Sequence, residues 1–116
     1  MKIEASVRHL HELITSGQTL LSMETYYAED VEMQENEETP RAGKAACMSH
    51  EQENLKKVKH FSATLLHSAI DSEQGIAFSE WEFAIVTLSG KTTAFREVSV
   101  QQWRDGKVVR EKFYYR

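Results

Sequence analysis

The side chains best suited to chemistry are glutamates near the end of the chain, in two runs of alternating residues. Alternation places the following side chains on shared faces: Glu97, Ser99, Gln101 and Trp103 in one run, and Glu111, Phe113 and Tyr115 in the next. Polar groups mixed with aromatic rings on an inner face are typical of a small-molecule pocket. Two close carboxylates would raise one pKa and could share a proton. Alternatively, both glutamates face solvent or form ion pairs with Arg96, Arg110 or Lys112.

A second group of candidates lies earlier in the chain, around its only proline. Glu51 falls on the apolar stripe of a helix predicted over residues 43–56, where an unpaired carboxylate is costly. It is either a pocket acid or base with a raised pKa, or a structural group that forms a salt bridge to Arg41 or caps nearby backbone N–H groups. Glu35, Asn36 and Arg41 flank a loop at the expected pocket edge, where Arg41 could bind a ligand carboxylate or Glu35. The alternative is a network that only orders the loop.

Composition and spacing argue against several other kinds of site. The 116 residues carry a formal net charge of −4 and no long basic cluster, which disfavours nucleic-acid and membrane partners. His60 and His67 lie an odd number of residues apart in one predicted strand and should face opposite sides. No residue pair suggests a metal clip and no Gly-rich phosphate loop is present, so we expect no metal and no cofactor. Trp81 and Trp103 are assigned to packing, with pocket lining as a by-product.

The cysteine content and the start of the chain indicate a cytoplasmic protein. Cys47 is the only cysteine and cannot form an internal disulfide, which fits a reducing compartment. The first residues carry charges every few positions and lack the apolar core of a signal peptide. No stretch approaches the ~18 apolar residues of a membrane span.

The hydrophobic patterns predict helices followed by a long sheet, in one domain over residues 1–116. Helical spacing covers residues 2–15, 19–27 and 43–56, with a short strand at 31–36. Four alternating runs follow, at 58–71, 75–88, 92–104 and 107–115. Their short connections require antiparallel pairing, and strands of this length must twist and bend. The prediction is an α+β fold in which three helices cover the concave side of a curved antiparallel sheet.

Both faces of this predicted sheet carry apolar side chains. In one run Trp81, Phe83 and Ile85 oppose Ile76, Phe78 and Val86, and in the next Phe95 and Trp103 oppose Val98 and Val100. Three helices can cover only one face, so a second copy of the chain is the simplest cover for the other. We therefore predict a homodimer through the sheet. The alternative is local edge packing in a monomer.

Several short motifs resemble the SnoaL-like proteins of the nuclear transport factor 2-like superfamily. Tyr26-Tyr27-Ala28-Glu29-Asp30 followed by Val31 is similar to a recurrent step in these proteins. Further segments resemble an uncharacterised subgroup: Gln34-Glu35-Asn36, Pro40-Arg41 with Gly43 and Glu51, Arg96-Glu97-Val98, Gln101, Trp103, Asp105 to Val109, and Glu111 to Tyr115. The resemblance covers nearly the whole chain.

The resemblance implies a cystatin-like cone with a pocket between helices and sheet, and frequent dimers. The superfamily includes polyketide cyclases, ketosteroid isomerases and dehydratases as well as non-enzymatic binders. One hypothesis is therefore a small-molecule-binding protein, with acid–base chemistry on a hydrophobic carbonyl compound. The base would be Glu35, Glu97 or Glu111, and the oxygen would be polarised by Tyr27, Tyr115 or Arg41. The other hypothesis is a non-catalytic dimeric module that binds a ligand or a protein. An open inner face would favour the small-molecule-binding protein, whereas a cone packed shut by Trp and Phe would favour the non-catalytic module.

Overall fold

The computed structural model describes residues 2–116 as three helices and a six-stranded sheet. The helices are α1 (Glu4–Thr15), α2 (Thr19–Tyr26) and α3 (Lys44–Lys56). The strands are β1 (Tyr27–Glu35), β2 (Arg41–Ala42), β3 (Val58–Asp71), β4 (Ile76–Thr87), β5 (Thr92–Arg104) and β6 (Lys107–Tyr114). Across the sheet their order is β2-β1-β6-β5-β4-β3.

The four long strands confirm the predicted antiparallel meander. β3 pairs with β4, β4 with β5, and β5 with β6, each antiparallel to the next. At the β5–β6 turn, Asp105 and Gly106 have φ values of 53° and 76°. Positive φ at both central residues matches the hairpin turn that an Asp-Gly pair favours, because this turn follows the natural twist of the strands.

The sheet is mixed rather than wholly antiparallel, which corrects the expectation from sequence. β1 runs parallel to β6, with Met33 opposite Glu111 and Glu35 opposite Phe113, and it carries the short β2 on its other side. Helix α3 follows β1 and β2, in agreement with the predicted order of a short strand at 31–36 before a helix at 43–56. The pairing of β1 with β6 joins segments far apart in the chain, and no local residue pattern signals such a pairing.

Helix α1 buries Val7 and Leu10 of its predicted apolar stripe, whereas α2 buries Met23 and α3 buries Cys47. The core lies near the β5–β6 turn and consists of Ile3, Val7, Leu10, Met23, Tyr27, Val31, Cys47, Ala77, Trp103 and Val108. It draws on α1, α2, α3 and four strands, so it fixes the helices on one side of the sheet. Within residues 2–116, no helix has the length and apolar character that a bilayer crossing requires.

Register shifts in the long strands change the face that some side chains take. One shift lies between Leu65 and His67 in β3. His60 pairs with Val86 and His67 with Glu80, and these two partners share one face of β4. Both histidines therefore lie on the same outer face, and the prediction that they face opposite sides is wrong. The extra residue at a bulge reverses the alternation beyond it.

Candidate functional site

A cavity of about 450 Å³ lies between the helices and the inner face of the sheet. It brings together most of the residues proposed from sequence: Tyr27, Glu35, Arg41, Glu51, Trp81, Glu97, Gln101, Glu111, Phe113 and Tyr115. They come from α3 and from five strands or their ends, so only the assembled fold places them around one space.

Asn36 and Trp103 were proposed as pocket residues but do not line the cavity. Asn36 instead accepts a hydrogen bond at Oδ1 from the backbone N–H of Tyr115, at 2.9 Å, and so holds the end of β6 beside β1. Trp103 packs in the hydrophobic core, and its Nε1 donates to Oε1 of Gln101 at 3.1 Å. Alternation along β5 correctly places Trp103 on the inner face of the sheet. At that end of the sheet the helices pack directly against this face, so Trp103 lies in the core and not beside the cavity.

Glu111 is the most enclosed of the acidic residues, with only 3% of its surface exposed. Its Oε2 accepts hydrogen bonds from Ser99 Oγ at 2.7 Å and from Gln101 Nε2 at 2.8 Å. Its Oε1 accepts a hydrogen bond from the Tyr27 hydroxyl. Burial raises the pKa of Glu111, and these three donors oppose the rise because they stabilise the ionised form. The same burial, together with the neighbouring carboxyl, raises the pKa of Tyr27 well above its ordinary value.

Glu97 lies beside this network on β5, directly opposite Trp81 of β4. Burial, followed by the charges of Glu35, Glu111 and Glu51, raises the pKa of Glu97 to about 8. No hydrogen bond from the described residues stabilises its ionised form. Glu97 is therefore a carboxyl group that gains and loses its proton near neutral pH.

Glu51 lines the same cavity from α3, and its pKa is also raised, first by burial and then by the charges of Glu35 and Glu111. The salt bridge to Arg41, which the sequence suggests as one structural role of Glu51, is absent from the ion pairs within residues 2–116. Arg41 also lines the cavity, but its guanidinium does not neutralise Glu51. The raised pKa matches the alternative reading, in which Glu51 is a pocket acid or base.

Aromatic rings line the side of the cavity formed by β3, β4 and β5. Phe83 stacks on Phe61 and on Trp81, with ring centroids 5.3 and 5.8 Å apart, and lies 5.6 Å from the Phe95 ring. Phe95 in turn lies 6.4 Å from Tyr115. These rings leave the cavity open rather than packed shut, so one wall is apolar while the carboxyl groups line another part.

His11 of α1 also lines the cavity, although it is not among the candidates predicted from the sequence. Its Nε2 lies 2.9 Å from Ser79 Oγ, and its ring meets Trp81 edge-on at 5.4 Å. Burial lowers the pKa of His11, so the ring is neutral near pH 7. A signal was available, because His11 follows Val7 by four residues and precedes Ile14 by three, which places it on the apolar stripe.

The arrangement combines an apolar wall with several titratable groups, which suits proton transfer on an organic molecule. Within residues 2–116, no three side chains among His, Cys, Asp and Glu are grouped to hold a metal ion. The carboxyl groups are thus distributed around the cavity rather than gathered on one point.

Three helices packed on one face of a six-stranded sheet, with a cavity between the two layers, define an α+β protein of the nuclear transport factor 2-like class. The SnoaL-like domain family matches residues 7–111, and the chain belongs to this family. No curated protein matches the chain by sequence.

Solved structures resemble this fold over nearly its whole length. One is a protein from Mesorhizobium loti that is described as a proposed SnoaL-like polyketide cyclase (carbohydrate phosphatase). It has a TM-score of 0.83 and 22% identity, and the match covers 99% of this chain and 100% of that one. Another is an LEH-like epoxide hydrolase from M. tuberculosis, with a TM-score of 0.78, 12% identity and coverage of 97% and 80%. A third is an uncharacterized cystatin fold protein from Novosphingobium aromaticivorans, with a TM-score of 0.78, 13% identity and coverage of 98% of both chains. At these identities the likeness shows the shared fold.

Proposed function

We propose that the chain binds a small hydrophobic molecule in the cavity and transfers protons on it, as an isomerase, cyclase or dehydratase of a carbonyl compound does. A volume of about 450 Å³ suits a ligand of a few fused or linked rings. The open inner face, lined by Glu, Tyr and Arg side chains, supports this hypothesis over a non-catalytic module with a closed cone. The names of two structural neighbours, a polyketide cyclase and an epoxide hydrolase, are also those of enzymes.

The observation that carries the proposal is the state of Glu97. A pKa of about 8 keeps this carboxyl mostly protonated at neutral pH, yet close enough to ionisation to serve as donor and acceptor in one cycle. Glu111 is less suited to the exchange, because Tyr27, Ser99 and Gln101 already occupy its oxygens. We assign proton transfer to Glu97 and the positioning of nearby groups to the Glu111 network.

The test combines ligand binding with proton exchange. A thermal-shift screen of hydrophobic ketones would first identify compounds that raise the melting temperature of the wild type. Proton NMR in deuterated water would then follow exchange of the hydrogens beside the carbonyl of each bound ketone. We expect Glu97→Gln to retain binding but to slow this exchange by about 100-fold or more, the usual contribution of a general acid or base.

The matched control is Glu32→Gln, because Glu32 lies exposed on β1 and should leave the exchange rate unchanged. Exchange at the wild-type rate in Glu97→Gln would remove Glu97 from the mechanism. Binding without exchange in the wild type would favour the non-catalytic alternative.

We also propose that two copies of the chain pair through the outer face of the sheet. Phe78 is 47% exposed there and lies opposite Val100 of β5, while the neighbouring Val98 is 36% exposed. Apolar side chains grouped on an uncovered face support a protein partner, and a second copy of the same chain is the simplest partner.

The state of the cysteine bears on cellular location. Cys47 is buried and unpaired, which supports the cytoplasmic location proposed from sequence.

A further inference from the structure

The charges around the cavity restrict the kind of molecule that it accepts. Four carboxyl groups line it, each from a different element: Glu35 from β1, Glu51 from α3, Glu97 from β5 and Glu111 from β6. The other titratable groups that face the cavity are His11, Tyr27, Arg41, Cys47, His50, Lys57 and Tyr115. Only the arginine and the lysine carry a permanent positive charge.

These two cations do not neutralise the carboxyl groups. Within residues 2–116, no ion pair joins Arg41 or Lys57 to an acidic side chain of the cavity. Lys57 is exposed at the end of α3, where water screens its charge. Glu111 is stabilised by its three hydrogen bonds, but no such donor contributes at Glu51 or Glu97. The carboxyl groups of the cavity therefore form no ion pair with either of its two cations.

The unpaired carboxyl groups are open to the cavity rather than sealed in protein. Among the described residues, every fully buried polar side-chain atom has a hydrogen-bond partner. The oxygens of Glu51 and Glu97 make no such bond, so they must have access to the open space of the cavity. A bound molecule would meet them directly.

The aromatic wall adds a second attraction for positive charge. Trp81 lies directly across from Glu97 in the β4–β5 pairing, and Phe83 lies across from Phe95. The faces of such rings carry partial negative charge and attract cations, most strongly where water is excluded. A cationic group beside Glu97 would thus lie next to the aromatic wall, to which Phe83 and Phe95 also belong.

We propose that the ligand is a hydrophobic compound that carries a positively charged nitrogen, such as a protonated amine. The inference rests on the proposed function of the cavity as a ligand site, and it adds the ligand's charge. Cavity size favours an organic cation over a bare metal ion, and the described residues form no metal cluster. A ligand with a carboxylate would add negative charge beside four acidic groups and depend on Arg41 alone.

Binding of such a cation should also release protons. Burial and mutual repulsion keep Glu97 protonated to about pH 8, its pKa, and they raise the pKa of Glu51 as well. A positive charge at the same place favours the ionised carboxylates and lowers both pKa values. Near pH 7, the complex should therefore hold fewer protons than the free protein and ligand together.

The test uses matched sets of compounds that differ only in one group. For naphthalene, biphenyl and indane skeletons, the aminomethyl, hydroxymethyl and carboxymethyl compounds would be compared by calorimetric titration near pH 7. We expect the amine of at least one skeleton to bind about 10-fold or more tightly than its alcohol, and the acid to bind most weakly. Titration in buffers of different ionisation enthalpy should show proton release with the amine only.

Two variants separate the charge effect from folding. Glu97→Gln and Glu51→Gln should each weaken amine binding by about 10-fold, and they should weaken alcohol binding much less. The proton release is measured on the wild type, so it does not depend on whether a variant folds. Equal affinity for amine and alcohol, or tighter binding of the acid, would overturn the charge preference and leave the cavity as a binding site. If no compound of any skeleton binds, the proposed function is overturned as well.

Discussion

Replacing Glu97 with glutamine should remove a loss of stability that the wild-type chain undergoes as the pH rises. Burial and the nearby carboxyl groups of Glu35, Glu111 and Glu51 raise the pKa of Glu97 from 4.5 to about 8. The unfolded chain releases this proton near pH 4.5, whereas the folded chain keeps it to about pH 8. The folded state thus binds more protons throughout this window, so its stability falls as the pH rises through it and levels off above the folded pKa.

The size of the effect follows from the width of this window. Each pH unit corresponds to about 1.4 kcal/mol, so full ionisation of Glu97 above pH 8 costs at most ~5 kcal/mol. The carboxyl group faces an open cavity, and water there screens part of this cost. Glu51 and Glu111 also have raised pKa values, but they remain in both proteins. We expect a difference of about 2 kcal/mol between wild type and Glu97→Gln.

The assay is urea unfolding at several pH values between about 5.5 and 8.5, with the free energy of unfolding taken from each curve. Over this range, the wild type should lose about 2 kcal/mol more than Glu97→Gln. Glu32→Gln, at an exposed position of β1, should follow the wild type. Parallel pH profiles for the wild type and Glu97→Gln would refute the reasoning, because they would mean that Glu97 titrates alike in the folded and unfolded chains.

Three further results are expected. Tyr27→Phe removes the only donor to Oε1 of Glu111 among residues 2–116 and should lower the free energy of urea unfolding by ~1–3 kcal/mol. Tyr26→Phe breaks an exposed hydrogen bond to His9 and should cost less than ~1 kcal/mol. Equal costs for the two variants would contradict the role of the buried network. Leu10→Ala empties part of a fully buried core position and should cost ~2–5 kcal/mol by the same assay, and a cost near zero would place Leu10 outside the core. Phe78→Lys puts a charge on the exposed outer face and should convert a dimer into a folded monomer in analytical ultracentrifugation; a wild type that sediments as a monomer would rule out the pairing.

Alternation and turn residues predicted much of the sheet correctly. Phe95 and Trp103 face the helices while Val98 and Val100 face outward, because strand side chains alternate whatever the surrounding fold. The Asp105-Gly106 pair identified the last hairpin because glycine and aspartate tolerate the positive φ that this turn needs. Alternation failed at His67, where the bulge in β3 shifts the register, and no residue type marks that bulge.

The composition of the cavity was only partly predictable. Glu97, Gln101 and Glu111 could be placed on inner faces, but the parallel pairing of β1 with β6 could not, and this pairing sets Glu35 beside the end of β6. A salt bridge to Arg41 would offset the cost of placing Glu51 on an apolar helix stripe, but no such ion pair occurs within residues 2–116. His11 lay on a helix stripe that reads as core until the sheet beneath it is known.

By itself, the sequence determined which side chains share a face and where the chain turns, because these depend on the backbone geometry of neighbouring residues. The tertiary structure decided which faces enclose the cavity and which carboxyl groups lie close enough to affect one another. A pKa such as that of Glu97 depends on burial and on charges from distant strands and a helix. Both the burial and the distances between these charges involve segments that are remote in the chain. They are set only when the helices pack over the sheet.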